Sequence, residues 1–357
     1  MNTAILGTGS YLPDRVLTSA ELGDRLGIGE QWILDRTHIV ERRVAEPDEA
    51  TSDLATAAAR HALAAADVDV VDVDLIIVAT STPDQPMPAT ACVVQANLGA
   101  VNAAAFDIDA VCTGFIYALA TADALLNAKE PESGVALVIG ADTYSRVLNY
   151  SDRRTCVLFG DGAGAVVVGR QADETGLLVS TINSDGRYAE LVQVRGGGSR
   201  LPASAETIAA GQHYVEMRGR EVRELAADVL PGLAADVLTS AGLDLTDVDI
   251  VVPHQANGTM LADLAAKLGL RPGQMHLTVD RYGNTGAASI PITLDDAVRS
   301  GRLTAGDLVL LLAFGGGMTW GGAALRWTMP RHSDRAPARE RAGARRPVAA
   351  GIGEDLR

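Results

Sequence analysis

The chain has 357 residues, of which 47% are hydrophobic and 21% charged, and its formal net charge at pH 7 is −15. A chain of this length and composition can bury a sizeable core, as one large or two fused domains. The acidic balance argues against a general nucleic-acid binder, because neutralising phosphates requires clustered Lys and Arg. The three cysteines, Cys92, Cys112 and Cys156, are too few and too unevenly spaced for a disulfide framework or a metal site.

The N-terminal segment "MNTAILGTGSYLP" lacks the charged region and apolar core of a signal peptide. No apolar run in the sequence reaches membrane-spanning length. The few cysteines fit a reducing compartment. We therefore predict a cytoplasmic protein that partners neither membranes nor nucleic acid.

Short apolar strands alternate with alanine-rich helical stretches along the chain. In order, the strands are "LIIVAT", "ALVIGA", "IVVPH" and "LVLLLAF". This alternation is typical of an α/β protein whose sheets are largely buried.

Cys112 lies where one such strand gives way to a helix. The pattern predicts a buried strand from Ala104 to Ile108 and a helix from Phe115 to Leu126. The unpaired N–H groups and the positive dipole end at a helix N-terminus favour thiolate, the nucleophilic form of cysteine. The alternative is an inert core residue, since cysteine is among the most buried residue types.

The two halves of the chain resemble each other. The segment "VDVDLIIVA" at 71–79 matches "TDVDIVVPH" at 246–254, and "DIDAVCTG" aligns with "VDRYGNTG" so that Cys112 faces Asn284. A third pair, "GVALVIGAD" and "GDLVLLLAF", begins at Gly134 and Gly306. Three matches in the same order indicate an internal duplication, with Cys112, Asn284 and His254 converging near a pseudo-twofold interface.

The pattern stops near the C-terminus. The segment 330–357 has almost no large apolar residues, seven arginines and scattered Pro and Gly. Because such a segment cannot bury enough surface to order itself, we predict a disordered, Arg-rich tail.

Five separated motifs in the correct order carry a family resemblance. The segments "AVCTGFIYAL", "VLFGDGAGAVVVG", "VVPHQAN", "DRYGNTGAASIP" and "AFGGGMTWGGAAL" resemble β-ketoacyl-acyl carrier protein synthase III of the thiolase superfamily, over about residues 2–327. The resemblance implies a thiolase-like α/β fold with α-β-α-β-α layers. It places the nucleophile in an N-terminal half, 1–172, and the His and Asn in a C-terminal half, 173–329.

The resemblance also implies catalytic roles. Cys112 would accept an acyl group from acyl-CoA, with the backbone N–H groups of Cys112 and Gly316 forming the oxyanion hole. His254 and Asn284 would donate hydrogen bonds to a malonyl thioester, stabilising the enolate left as carbon dioxide departs. Thioester exchange needs such a thiolate and donors aimed at the developing oxyanion. The ordinary alternatives are a structural histidine and a turn asparagine.

Substrate contacts follow from the same resemblance. Trp32, Arg36, Thr37 and Arg153 match a coenzyme A site, where Arg153 would stack opposite Trp32; an exposed, salt-bridged arginine is the alternative. The acyl pocket would include Phe314 and Met87, the latter reaching across the interface of a homodimer or merely filling a gap there. The expected partners are acyl-CoA, a substrate and not a cofactor, and malonyl-acyl carrier protein; no metal is expected.

Some positions depart from the family pattern. "QAN" is followed by Gly258 and Thr259 in place of an apolar residue and a docking arginine, and His38 replaces a glycine. Arg218, Arg220 and Arg223 could restore the positive potential that attracts an acidic carrier protein. These departures leave open a specialised polyketide pathway, an acyltransferase that does not decarboxylate, and a catalytically silent partner subunit.

Overall fold

A computed structural model describes residues 2–128, 134–171 and 175–329. These residues form two large β-sheets with helices between and outside them, and two two-stranded sheets. The strands are β1 (Asn2–Tyr11), β2 (Val16–Thr18), β3 (Glu41–Arg43), β4 (Leu75–Ala79), β5 (Ala104–Ile108), β6 (Val135–Thr143), β7 (Asp161–Gln171), β8 (Gly176–Ser184), β9 (Val192–Gln193), β10 (Glu216–Met217), β11 (Ile250–Pro253), β12 (Leu308–Gly315) and β13 (Thr319–Arg326). The helices are α1 (Ser19–Leu26), α2 (Glu30–Thr37), α3 (Thr51–Ala66), α4 (Thr90–Leu98), α5 (Gly114–Asn127), α6 (Ala205–Ala209), α7 (Gly219–Ser240), α8 (Gly258–Leu268), α9 (Val279–Tyr282) and α10 (Ser289–Arg299).

The first sheet has five strands in the order β1-β7-β6-β4-β5. Strand β4 is parallel to both β5 and β6, whereas β7 is antiparallel to β6 and β1. All five residues of β4 are buried. A continuous apolar strand of this kind is expected where helices cover both faces of a sheet.

The second sheet repeats this arrangement with the order β11-β12-β13-β8. Strand β11 is parallel to β12, and the next two pairs are antiparallel. Strands β4, β6, β7 and β1 thus correspond to β11, β12, β13 and β8, and the predicted duplicated α/β architecture is confirmed.

The layers follow from what each helix buries. Helices α5 and α10 lie between the sheets, where Phe115, Leu119 and Leu294 share one core with strands of both. Helices α3 and α4 cover the outer face of the first sheet, and α7 covers the second through Leu233 and Val237. This is the predicted α-β-α-β-α order, and it places α5 and its N-terminus at the centre of the molecule.

Two predictions fall on other parts of the chain. The boundary between 172 and 173 lies within 172–174, and the Arg-rich tail at 330–357 lies beyond residue 329, so both are outside the described residues. Among the described helices, none combines the length and apolar character needed to cross a membrane.

Candidate active site

A cavity of about 700 Å³ brings together the three residues predicted to carry the chemistry. Cys112, His254 and Asn284 all line it, although they come from different elements. The cavity also reaches the predicted coenzyme A residues Trp32 and Arg153.

Cys112 lies in a single 3-10 turn, Val111–Thr113, between β5 and α5. The turn runs directly into Gly114, the first residue of the helix, so the predicted position near a helix N-terminus is observed. Val111 has a φ of 48°, which is rare and strained for a β-branched residue. The Val111 N–H donates to Asp109 Oδ1 at 3.1 Å, which helps to hold the turn.

Cys112 is buried, and its ionisation is opposed by its surroundings. Burial, followed by the negative charge of Asp142, raises the pKa of the thiol to about 12, although a hydrogen bond from Tyr144 lowers it. The sequence-based argument considered only the helix N-terminus, which favours thiolate. The resting form is therefore the thiol, and the thiolate must be stabilised when it forms.

The glycine run after β12 abuts the cysteine backbone. A Cβ at Gly315 would lie 2.8 Å from the Cys112 nitrogen, so only glycine allows this approach. Gly316 lines the cavity, and its carbonyl accepts from Thr319 Oγ1 at 3.0 Å. The loop thus lies beside the nucleophile, which is the position that the predicted oxyanion donor at Gly316 requires.

His254 follows β11 directly and is buried. Its backbone N–H donates to the Leu312 carbonyl at 2.7 Å, and its Nδ1 is 2.6 Å from Ser289 Oγ. Burial lowers the pKa of His254 to about 3. The imidazole is therefore neutral, and the bond at Nδ1 leaves Nε2 as its second nitrogen for other partners.

The amide of Asn284 is held in one orientation. Its Oδ1 accepts from the Gly286 N–H at 2.9 Å, which leaves the NH₂ group available as a donor. Its backbone is fixed by bonds to Leu158 O and from the Gly160 N–H. Gly286 has a φ of 58°, and a Cβ there would lie 2.2 Å from Asp142 Oδ2, so this position requires glycine.

Asp142, a buried carboxylate that the sequence reasoning did not single out, joins the two halves. It lies next to the last residue of β6 in the first half and accepts from Ala287 N–H of the second half at 2.8 Å. It also accepts from Ser81 and Thr82. Burial raises the pKa of Asp142 to about 6 even though these donors lower it.

The mouth of the cavity carries the predicted coenzyme A residues. The guanidinium of Arg36 lies 4.4 Å, and that of Arg153 5.3 Å, from the centre of the Trp32 ring. Thr37 lines the cavity too, but its hydroxyl donates to Ile33 O and accepts from Ile39 N–H. Trp32 and the two arginines form a cationic aromatic surface, whereas Thr37 secures the end of α2.

The two predicted acyl-pocket residues lie in different places. Phe314 lines the cavity, is 7% exposed and stacks on Trp320 with 6.5 Å between ring centroids. Met87 is 80% exposed and is not among the residues that line the cavity of its own chain.

The departures from the family pattern at His38 and Gly258 are linked, because the side chain at one position uses space that is free at the other. A Cβ at Gly258 would lie 2.6 Å from the His38 Cβ, so a side chain at 38 fits because none is present at 258. Thr259, at the expected docking position, donates to Arg36 O. These contacts join α2 to α8 near the cavity mouth.

Each of the three arginines that could have replaced the missing docking charge is paired with an acidic residue. Arg218 lies 3.6 Å from Glu190, Arg220 lies 2.9 Å from Glu224, and Arg223 pairs with Asp263. These exposed pairs reduce the local positive potential that the sequence had suggested.

Sequence reasoning also missed Tyr144 and Ser289. Tyr144 lines the cavity beside Cys112, and Ser289 lies against His254 across 35 residues of sequence. A polar residue directly after an apolar strand, as in "VIGADTY", could have drawn attention to Asp142 and Tyr144. No comparable signal marks Ser289.

The arrangement combines a thiol nucleophile with neutral N–H donors. A neutral imidazole and an amide can stabilise a developing enolate by hydrogen bonding. At a pKa of about 3, His254 is a poor general base near neutral pH. The site therefore suits thioester exchange and enolate chemistry better than acyl transfer that requires deprotonation of an alcohol or amine.

Comparisons with known proteins agree with this geometry. The family model described as 3-Oxoacyl-[acyl-carrier-protein (ACP)] synthase III matches residues 106–186, and the model for its C terminal part matches residues 238–327. A β-ketoacyl-[acyl-carrier-protein] synthase III from Caldanaerobacter subterraneus is 47% identical over 91% of this chain and 97% of its own.

Two further relatives have other names. An acetoacetyl CoA synthase from a Streptomyces species is 49% identical over 90% of this chain and 98% of its own. The crystal structure of a priming β-ketosynthase from a polyketide biosynthetic pathway is 33% identical, with a TM-score of 0.84, over 92% of this chain and 97% of that one. The resemblance drawn from the sequence motifs is confirmed.

Proposed function

The chain belongs to the 3-oxoacyl-[acyl-carrier-protein] synthase III family, and we propose that it condenses an acyl group from acyl-CoA with malonyl-acyl carrier protein. The acyl group is first loaded onto Cys112, and carbon dioxide leaves during carbon–carbon bond formation. The product serves fatty-acid or polyketide starter-unit biosynthesis. The observation that carries this proposal is the single cavity shared by Cys112, His254, Asn284 and the cationic aromatic mouth.

Loading begins at the Cys112 sulfur. The sulfur attacks the thioester carbonyl, the carbonyl oxygen becomes an oxyanion, and coenzyme A leaves as its thiol. The N–H groups of Cys112 and Gly316 receive the oxyanion, since Gly315 lets the loop approach the cysteine backbone.

Condensation uses the two neutral donors. His254 Nδ1 and Ser289 Oγ are 2.6 Å apart, and in this proposal the hydroxyl donates to Nδ1, so that the single proton of the neutral imidazole is on Nε2. The Nε2 proton and the Asn284 amide donate to the malonyl thioester carbonyl, which becomes an enolate as carbon dioxide departs. The enolate carbon attacks the acyl carbonyl, and the Cys112 sulfur leaves.

The mouth binds the nucleotide end of coenzyme A. An adenine ring stacks on Trp32, while Arg36 and Arg153 neutralise phosphates or stack on the base. This contact pattern needs no bound cofactor, because the thioester substrates supply the reactive groups.

A homodimer completes the acyl pocket in this proposal. Strand β5 ends the first sheet, and the nearby Met87 and Val101 are 80% and 78% exposed. An open strand edge with exposed apolar side chains suits pairing with a second copy. The partner's Met87 would then close the end of this chain's pocket. Light scattering should give twice the mass of one chain.

The reaction is tested with acyl-CoA and malonyl-carrier protein together. We expect a ketoacyl product and one carbon dioxide for each condensation. An acylated Cys112 with neither product would instead support the alternative, a transferase that moves the acyl group to another acceptor without decarboxylation.

The paired arginines favour malonyl-CoA as a second candidate acceptor. With Arg218, Arg220 and Arg223 each beside an acidic residue, an acidic carrier protein meets less uncompensated charge. Rates with malonyl-CoA and malonyl-carrier protein, measured over a range of salt concentrations, distinguish the two. A faster, salt-sensitive reaction with the carrier protein would exclude the second candidate.

A further inference from the structure

Among the residues that the structure describes, the groups around the buried Cys112 thiol include no effective base for its ionisation. The carboxylates of Asp142, in β6, and Asp109, after β5, both disfavour a second negative charge at the sulfur. His254, after β11, is neutral and has a pKa of about 3. A thiolate in this environment needs a neutral hydrogen-bond donor beside the sulfur.

Tyr144 is held where it can be that donor. Its ring is 4% exposed and stacks on Phe159, with 4.4 Å between centroids. A Cβ at Gly286 would lie 2.5 Å from the Tyr144 Cε2, so the ring is clamped between Phe159 and the Asn284 loop. The ring lines the cavity with Cys112, and hydrogen bonding by its hydroxyl lowers the pKa of the thiol, so it favours the thiolate.

The Tyr144 hydroxyl also has a polar partner in Ser81. The Tyr144 oxygen lies 2.9 Å from Ser81 Oγ, and Ser81 donates to Asp142 at 3.1 Å. Because the Ser81 proton is directed at Asp142, Tyr144 supplies the proton in its bond to Ser81 while Cys112 is a thiol. Burial, above all, raises the pKa of Tyr144 well above its ordinary value, so the phenol keeps its proton.

We propose that Tyr144 is a catalytic residue whose hydroxyl turns from Ser81 to the Cys112 sulfur and stabilises the thiolate that attacks acyl-CoA. This proposal rests on the proposed role of Cys112 as the nucleophile. The S–C bond to the acyl group forms as the C–S bond to coenzyme A breaks, and the proton lost by Cys112 ends on the departing coenzyme A sulfur. Tyr144 keeps its own proton throughout. The same bond favours departure of the Cys112 sulfur during condensation.

The test measures thiol reactivity without any acyl substrate. Methyl methanethiolsulfonate is reacted with the enzyme from pH 6 to 9, and intact-protein mass spectrometry follows the adduct, with Cys112→Ala giving the background from Cys92 and Cys156. A hydrogen bond to a charged group is worth about one to two units of pKa. A higher thiol pKa in Tyr144→Phe lowers the fraction of thiolate, but the more basic thiolate is also more nucleophilic, which offsets part of the loss. Tyr144→Phe should therefore react about threefold to fifteenfold more slowly across the range.

Two further variants separate the hydroxyl from its surroundings. Tyr188→Phe, which removes an exposed hydroxyl elsewhere, should react with the reagent at the wild-type rate. Ser81→Ala should react at least as fast as the wild type, because the Tyr144 hydroxyl then has no competing bond to the Ser81 hydroxyl. Equal rates for Tyr144→Phe and wild type would overturn the proposal, as would equal slowing by Ser81→Ala. If Tyr144→Phe does not fold, Tyr144→Met provides the same comparison. The proposed condensation is tested by separate experiments, so the two can fail independently.

Discussion

The Asn284 amide can donate to a substrate because its oxygen is already occupied by the Gly286 N–H. An amide has no basicity near neutral pH, so its contribution is a hydrogen bond to a developing charge and not proton removal. We therefore expect Asn284 to act in decarboxylation and not in the loading of Cys112.

Asn284→Ala should leave acylation of Cys112 measurable and reduce decarboxylation by about a hundredfold, as expected when one donor to a developing oxyanion is removed. Release of labelled carbon dioxide from malonyl thioester measures the second step, and acyl-enzyme formation measures the first. Asn102→Ala, on the exposed surface, is the control. If Asn284→Ala stopped acylation while the fold survived, this division of roles would be wrong.

Ser289 is expected to select the protonated nitrogen of His254. In Ser289→Ala, Nδ1 loses the hydroxyl at 2.6 Å, and the proton is no longer directed to Nε2. We expect decarboxylation to fall about fivefold with little change in acylation, because one neutral hydrogen bond is worth roughly 1 kcal/mol. Ser289→Thr, which keeps the hydroxyl, should retain more activity than Ser289→Ala; the reverse order would contradict this role.

Among single residues, those that lie in a recognisable local motif can be predicted from the sequence. Cys112 and Asn284 emerged from the repeat, and His254 follows a recognisable strand. Tyr144, Asp142 and Ser289 were missed because their roles depend on partners brought close only by folding. Asp142, for example, meets the Ala287 N–H across 145 residues of sequence.

Among the elements, the segment before α4 holds Met87, whose exposed side chain does not line the cavity of its own chain. Methionine is unbranched and adaptable, so a pocket closed by it should accept longer chains than one closed by a phenylalanine ring. The proposed dimer makes this a property of the partner's pocket.

Met87→Phe should therefore shift the preference toward shorter acyl-CoA chains with little loss of stability, since hydrophobic volume is roughly kept. Acylation rates across a series of acyl-CoA chain lengths, together with the mass of the assembly, measure this. Val101→Phe, a change at another exposed apolar position, is the control. An unchanged chain-length profile in an intact dimer would show that Met87 does not set the pocket.

At the scale of the molecule, the sequence predicted the duplication but not the arrangement of the strands. The matched segments correspond to β4 with β11 and to β6 with β12, which form a parallel strand pair in each sheet. Strand β5 has no counterpart in the second sheet, and β8 joins that sheet at its far edge. Such neighbours are set by long-range pairing, which local periodicity does not encode.

The depressed pKa of His254 predicts a pH-dependent stability. Because its pKa is about 3 in the folded protein and about 6.5 when unfolded, this contribution is present above pH 6.5 and is lost as the pH falls toward 3. The raised pKa of Asp142 acts in the opposite sense, since its contribution is present below pH 3.8 and is lost as the pH rises through 6. The two effects partly offset each other in the wild type.

His254→Gln should remove the first effect. As the pH falls below 6, the free energy of unfolding of the wild type should decrease more steeply than that of His254→Gln. The difference between the two slopes should be roughly 1.4 kcal/mol for each pH unit. Urea unfolding at pH 7 and pH 5 provides the comparison. Parallel pH profiles for the two proteins would mean that the buried imidazole does not contribute as described.

The central claim is that Cys112 carries the acyl group between two thioesters, and intact-protein mass spectrometry tests it most directly. On addition of acyl-CoA, we expect one acyl adduct on the peptide that contains Cys112, with none in Cys112→Ala. On addition of malonyl thioester, the adduct should disappear as ketoacyl product forms. No adduct with any acyl-CoA in a panel, or an adduct that persists in Cys112→Ala, would contradict the claim.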